Sequence, residues 1–144
     1  MTTVAPTRPV VLGEVRHGLV DPRGGCRDLD AVLDAARAAE RDGASAVVVP
    51  APDADAPAER HWPATAQALA VLLATERVRV VVGVHAGAWR PEALARFATS
   101  ANALSGDRLV VQVLGAASGP FAEALRARWD GEIVVGDAGL ATVA

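Results

Sequence analysis

The sequence predicts an α/β protein in which parallel strands alternate with helices in a single domain over residues 1–144. Valine-rich runs of strand length recur along the chain, amphipathic helical segments separate them, and no linker or shift in composition divides them. Although 51% of the residues are hydrophobic, only 3% are aromatic, so the core consists mainly of alanine, valine and leucine. Such a core suits helices packed closely on a buried sheet.

Five runs have the composition of buried strands. They consist mostly of aliphatic residues bounded by turn-forming residues, and they cover 10–15, 44–49, 78–84, 109–114 and 133–135. The third run is almost uninterrupted valine, which is expected of a strand covered on both faces.

Four segments between these runs carry apolar residues at helical spacing. We expect the first helix to have Asp28 as its N-cap and Gly43 as its C-terminal glycine. Pro63 and Pro91 are placed to open the second and third helices, and Gly131 to end the fourth. The resulting order, βαβαβαβαβ, predicts a parallel sheet with right-handed crossovers.

Two architectures share this pattern, namely a half barrel of the TIM type and an open doubly wound sheet. Periodicity does not choose between them, but the chain is well short of the roughly 250 residues of a complete barrel. Both architectures place function at the C-terminal ends of the strands. Those ends are residues 14–18, 50–55, 85–90, 115–119 and 136–139.

Two histidines end strands in this pattern. His17 follows the first strand and His85 ends the third, so we expect both rings to project into one cleft. Histidine titrates near neutral pH and suits proton transfer, which makes both residues catalytic candidates. Trp89 follows the third strand and is either the wall of a site for a planar ligand or an ordinary loop anchor.

Several established motifs do not occur in the sequence. There is no P-loop, no Gly-x-Gly-x-x-Gly after the first strand and no nucleophile elbow. The loop 115–119 precedes a helix and is either an anion site or a tight turn, although Pro120 removes one donor. Asp53 and Asp55 are either cation ligands or part of a solvated acidic loop; we favour the loop and predict no metal.

Composition limits the partners and the compartment. With a net charge of −3 and no run of basic residues, the chain is not expected to bind nucleic acid. Cys26 is the single cysteine, so no internal disulfide forms. No apolar run approaches the roughly 18 residues of a membrane span, and the first residues lack a signal core. We therefore expect a cytoplasmic protein without a membrane partner.

Several of these segments together resemble the luciferase-like flavin-dependent monooxygenases. The similar stretches are residues 33–49, 68–84 and 94–113, the last containing Leu-Ser-Gly-Asp-Arg before the fourth strand. The pair His17-Gly18 is similar to the alkanesulfonate-monooxygenase branch. The resemblance covers about residues 10–115, more faintly 121–132, and so the N-terminal half of that family's barrel.

This resemblance implies an eight-stranded barrel that holds reduced FMN or a deazaflavin at its C-terminal rim and acts on a small-molecule substrate. His17 would lie near the flavin and the substrate. The segment from His85 to Trp89 and the segment from Gln112 to Gly115 would line the isoalloxazine.

The second half of such a barrel, with much of the flavin-phosphate site, has no counterpart here. We therefore expect an oxidoreductase site completed by a second chain, in a homodimer or with a partner subunit. The alternative is a non-catalytic half barrel that serves as a binding or accessory subunit. We expect flavin affinity to be micromolar or poorer. We also expect association, because a half barrel leaves two open edges and a concave apolar face.

Overall fold

The computed structural model of the chain describes residues 9–13, 15, 27–52 and 62–143. Its helices and strands are β1 (Val10–Val11), α1 (Arg27–Arg41), β2 (Ala46–Val49), α2 (Ala64–Ala74), β3 (Arg79–His85), α3 (Pro91–Ser105), β4 (Leu109–Leu114), α4 (Ser118–Arg126) and β5 (Glu132–Val135). Two 3-10 helices, Ala86–Ala88 and Asp137–Thr142, follow β3 and β5. The predicted alternation of strands and helices is confirmed.

The five strands form one parallel sheet in the order β1-β2-β3-β4-β5. Each strand pairs in parallel with the next one along the chain, so β1 and β5 are the edges. A doubly wound sheet reverses its strand order at a switch point, whereas a barrel adds its strands in sequence. The observed order is that of barrel winding.

The four α-helices among the described residues pack on the same face of the sheet. Their buried residues and the strand residues beneath them belong to one apolar cluster, which includes Val32, Ala36, Val47, Ala68, Val71, Val80, Val82, Leu94, Ala98, Val111, Phe121 and Leu125. An open doubly wound sheet needs helices on both faces. The structure therefore decides for the barrel-like alternative.

The opposite face of the sheet, which would face the interior of a barrel, forms a second buried cluster. Its strand residues alternate with those of the helix-side cluster, and they are Ala46, Val48, Val81, Val110 and Val134. After β5 the chain turns at Gly136, where φ is +70°, and residues 137–143 fold over this face. We call residues 137–143 the C-terminal segment. Its Leu140 and Val143 pack on the inner face, and Val143 is 0% exposed. The open concave face expected from the sequence is thus covered by the chain itself.

Local boundaries differ slightly from the predicted ones. The first strand is short, although Leu12 extends the pairing by donating its backbone N–H to the carbonyl of Val48. Helix α1 begins at Arg27, which places Asp28 inside its first turn instead of at the N-cap. Gly43 has the left-handed φ of +89° expected of a glycine after a helix. Pro91 opens α3, as predicted.

Candidate functional site

The candidate site lies where the C-terminal ends of the strands meet. Because the strands are parallel, the residues that follow β2, β3, β4 and β5 lie at the same end of the sheet. We call this C-terminal end of the strands the rim. Among the described residues it comprises 50–52, 85–90, 114–117 and 136–137.

His85 is the last residue of β3 and is half-buried. Its Nε2 atom lies 2.9 Å from the carbonyl oxygen of Pro52, in the chain that leaves β2. A carbonyl only accepts hydrogen bonds, so this contact requires a proton on Nε2, and in the neutral ring Nδ1 is then an acceptor. The contact therefore fixes the orientation of the ring at the rim.

Gln112 is the polar side chain of the inner face of β4, and it is only 3% exposed. Its amide Nε2 donates to the carbonyl oxygen of Gly136 over 3.4 Å and to Oδ1 of Asp137 over 3.3 Å. Both distances are long for hydrogen bonds, so the amide is held but not tightly. A buried amide with replaceable partners suits recognition of a heterocycle edge.

The close approach between β3 and the chain that leaves β2 depends on Gly83. A Cβ atom added at Gly83 would lie 2.8 Å from the backbone nitrogen of Ala51 and 3.3 Å from Oε1 of Gln112. Only glycine lets the chain after β2 lie this close to β3. Our sequence reasoning missed this residue, yet an isolated glycine within a valine strand is a signal for such an approach.

Gly115 and Trp89 have different surroundings. Gly115 has a φ of +102° directly after β4, and its carbonyl accepts a hydrogen bond of 3.2 Å from the N–H of Ser118. The loop therefore forms a tight turn into α4. Trp89 is half-buried and packs against the helix-side cluster, so its contacts are on the other face of the sheet from Gln112.

The remaining predicted residues are not among those described. His17 lies outside the described residues, so its shared cleft with His85 stays a prediction. Cys26, Asp53 and Asp55 lie outside them as well. Within the described part of the chain, no three histidine, cysteine, aspartate or glutamate side chains come together as a group that could hold a metal ion.

Two charged side chains, those of Glu40 and Arg108, make contacts at the end of the sheet where the strands begin, opposite the rim. Burial raises the pKa of the Glu40 carboxyl, but hydrogen bonds from the backbone N–H groups of Val78, Arg77 and Glu76, helped by the charge of Arg77, outweigh burial and leave this pKa below its usual value. Burial also lowers the pKa of Arg108, against the opposing charge of Glu40. Both residues lie where strands begin, which is the stabilising end of a barrel.

A polar groove on the outside of the helices is a separate feature. It lies between α3 and the end of α4, and it is lined by Glu92, Ala95, Arg96, Thr99, Ser100 and Arg128. These helices pack on the helix side of the sheet, so the groove and the rim are distinct places on the molecule.

The fold places the chain in the class of parallel βα-barrel proteins, of which it has five consecutive strands. Residues 9–132 match the family described as luciferase-like monooxygenase, so the chain belongs to the luciferase-like monooxygenase family. Members of this family use flavins. No curated protein matches the chain in sequence.

Solved structures are similar to the chain in fold. They include the EDTA monooxygenase EmoA from Chelativorans sp. BNC1 (TM-score 0.55, 20% identity), covering 95% of this chain and 37% of that one. The match to apo-MsnO8 (TM-score 0.56, 20% identity) covers 83% of this chain and 36% of that one. The riboflavin lyase RcaE, solved with modified FMN and riboflavin, has a TM-score of 0.56 at 16% identity. This match covers 88% of this chain and 33% of that one. The chain thus spans about a third of the length of these structures.

No helix in the described part of the chain is both long and apolar enough to cross a membrane.

Proposed function

We propose that the chain is a flavin-dependent oxidoreductase of the luciferase-like family, with the isoalloxazine of reduced FMN or a deazaflavin at the rim beside His85 and Gln112. The observation that carries this proposal is the buried Gln112 amide, which is held by long hydrogen bonds and pairs across the sheet with Gly83, two residues before His85 at the C-terminal end of β3. Family membership supports it, as does the fold shared with a riboflavin lyase that was solved with modified FMN.

The described residues fit the isoalloxazine of a flavin better than its phosphate. The Gln112 amide and Nδ1 of His85 provide a donor and acceptors for a polar heterocycle edge. For the phosphate, the one cationic side chain of the described rim is Arg90, which is exposed at the start of α3. Losing one charge-assisted contact costs about 1.5–3 kcal/mol, or roughly ten- to a hundredfold in affinity. We therefore propose micromolar or weaker binding.

A reduced flavin bound there would supply the electrons for oxygen activation or for hydride transfer to a small-molecule substrate. The contribution of the chain's own residues is narrower. Gln112 orients the ring, while His85, fixed through Nε2 by the carbonyl of Pro52, holds or accepts a proton at Nδ1.

We further propose that a second copy or a partner subunit completes the site. The chain spans about a third of the similar structures, so most of their rim has no counterpart within it. The edges of the sheet are suited to extension, because Val10 and Val11 of β1 are 41% and 64% exposed and Val135 of β5 is 38% exposed. Unpaired parallel strands of this kind readily add another strand.

A non-catalytic role as a binding or accessory subunit is the second candidate. One observation favours it: His85 and Gln112 both make hydrogen bonds within the chain, to Pro52 and to Gly136 and Asp137. In this case the rim groups would serve to hold the loops in place, and no flavin would bind.

Titration of the purified chain with FMN, followed by visible absorption, separates the two candidates. We expect saturable binding in the micromolar range or weaker, and a loss of roughly fivefold or more in Gln112→Ala, because one polar contact contributes about 1 kcal/mol. Thr99→Ala, on the outer groove, is the control and should bind FMN as the unmodified chain does. Absence of binding at millimolar FMN would support the accessory role.

A further inference from the structure

The C-terminal segment has a position that the family resemblance does not explain. It starts at the rim, directly after β5, and runs back over the inner face of the sheet. Leu140 and Val143 are its apolar anchors, and they pack against the cluster that contains Val48, Val81 and Val110. The segment therefore occupies space that would belong to the interior of a barrel.

The same segment also takes up the polar group of the candidate site. The Gln112 amide bonds to the carbonyl of Gly136, at the turn that leads into the segment, and to the carboxylate of Asp137, its first residue. Covering the inner face and holding Gln112 are thus two results of one placement of the chain.

The way the segment is held differs from the way the strands are held. Its backbone forms a six-residue 3-10 helix, a conformation with poorer hydrogen-bond geometry than an α-helix. The hydrogen bond of Val143 N–H to the carbonyl of Leu140, at 3.1 Å, lies within the segment. The contacts to Gln112 measure 3.3 and 3.4 Å, at the long end for hydrogen bonds. At its start the segment is anchored by Gly136, whose N–H donates to the carbonyl of Val113 over 2.9 Å, and further along Leu140 and Val143 pack on the inner face.

We propose that the C-terminal segment is a displaceable cover that competes with a rim ligand for the Gln112 amide. In the closed state Gln112 bonds to Gly136 and Asp137, and the inner face is sealed. In the open state the amide is free for a ligand and the inner face is accessible. The choice of flavin as that ligand rests on the function proposed above. A site that is open for only a small fraction of the time shows an apparent affinity reduced by that fraction.

Gly139 offers a way to displace the cover without touching Gln112. A Cβ atom added there would lie 2.8 Å from Cβ of Val134, closer than folded proteins tolerate, so Gly139→Ala should lift the segment from β5. Gly119→Ala is the matched control, since a Cβ atom at Gly119 meets no atom within 4 Å.

The side-chain amide signals in a 1H–15N spectrum report the outcome directly. The chain has two glutamines, Gln112 and Gln67, and Gln67 donates to the carbonyl of Gly13 on α2's side of the sheet. In Gly139→Ala we expect a shifted and faster-exchanging Gln112 amide, an unchanged Gln67 amide, and several-fold higher fluorescence of an apolar-surface dye. Gly119→Ala should match the unmodified chain in all three.

Two results would overturn the cover. An unchanged Gln112 amide in Gly139→Ala would show that the segment does not hold it. Loss of the Gln67 signal as well would show that the segment is an integral part of the fold. FMN titration then tests competition: we expect at least tenfold tighter binding in Gly139→Ala, and equal affinity would refute it. If neither protein binds FMN, the proposed flavin function and the competition fail, while the amide signals still decide whether the cover opens.

Discussion

Arg108, which precedes β4, binds Thr75 at the end of α2 through two atoms of its guanidinium. Nη1 donates to the Thr75 hydroxyl over 2.9 Å and Nη2 to the Thr75 carbonyl over 3.0 Å. Further bonds reach the carbonyls of Leu72, Val78 and Ser105 at 2.7, 2.9 and 2.8 Å. One side chain thus satisfies carbonyls at the end of a helix that would otherwise lack partners.

Replacing Arg108 by lysine should destabilise the fold even though the charge is kept. A single ammonium group cannot bond to the carbonyls of Leu72, Thr75 and Val78 together. We expect the free energy of unfolding to fall by about 2–4 kcal/mol, measured by urea denaturation. Arg126→Lys is the control, because Arg126 forms an exposed ion pair with Glu123. Equal losses in the two variants would contradict the capping role.

Glu40 should make stability depend on pH in the acidic range. Its pKa in the folded chain lies below the unfolded value of about 4.3, so its contribution is complete above that value and is lost as the pH falls through the folded pKa. At pH 7 we expect Glu40→Gln to be less stable by about 1 kcal/mol, since the carboxylate is partly solvated.

The difference between Glu40→Gln and the unmodified chain should disappear as the pH falls through the folded pKa. Urea denaturation at a series of pH values measures this. Glu123→Gln, on an exposed face of α4, serves as the control. A difference that persists unchanged to strongly acidic pH would rule out the assigned backbone hydrogen bonds as its cause.

Gly83 should tolerate no side chain. In Gly83→Ala the new Cβ would meet the backbone nitrogen of Ala51 at 2.8 Å, so the chain after β2 has to move away from β3. We expect a loss of about 1–3 kcal/mol in stability, measured by thermal or urea unfolding, together with weaker FMN binding. Gly119→Ala, where the space is open, should remain near the stability of the unmodified chain.

Self-association should occur through a sheet edge. The C-terminal segment covers the inner face, so we expect association at the exposed edge strands β1 and β5. Val11 is the most exposed of the large apolar residues on these two strands. Light scattering after size exclusion should give a multiple of 14.7 kDa at micromolar concentration. Val11→Lys should reduce the mass to that of one chain, since lysine on an edge opposes strand addition. A mass of one chain without any substitution would refute association.

The sequence predicted what is encoded locally. The valine run of β3, the proline that opens α3 and the glycine after α1 each determine nearby backbone, and the structure confirms all three. The sequence did not decide between a half barrel and a doubly wound sheet, because periodicity does not determine which face of the sheet the helices cover. The helix-side cluster settled that question.

The contacts that join distant segments were not predictable. The partners of Gln112 lie 24 and 25 residues further along the chain, and Val143 joins an apolar cluster that also contains Val48. The C-terminal segment has no periodic apolar pattern that would indicate burial. The Leu-Ser-Gly-Asp-Arg sequence is part of the family resemblance, but only the structure shows that its arginine binds the end of α2.

The position of flavin binding is the most direct test of the proposed function. In a 1H–15N titration with FMN, we expect shifts for the Gln112 side-chain amide and for the backbone amides of His85 and Gly115, with Thr99 and Ser100 in the outer groove unchanged. Shifts confined to the outer groove around Arg96 and Arg128, or no shifts at millimolar FMN, would contradict a flavin site at the rim.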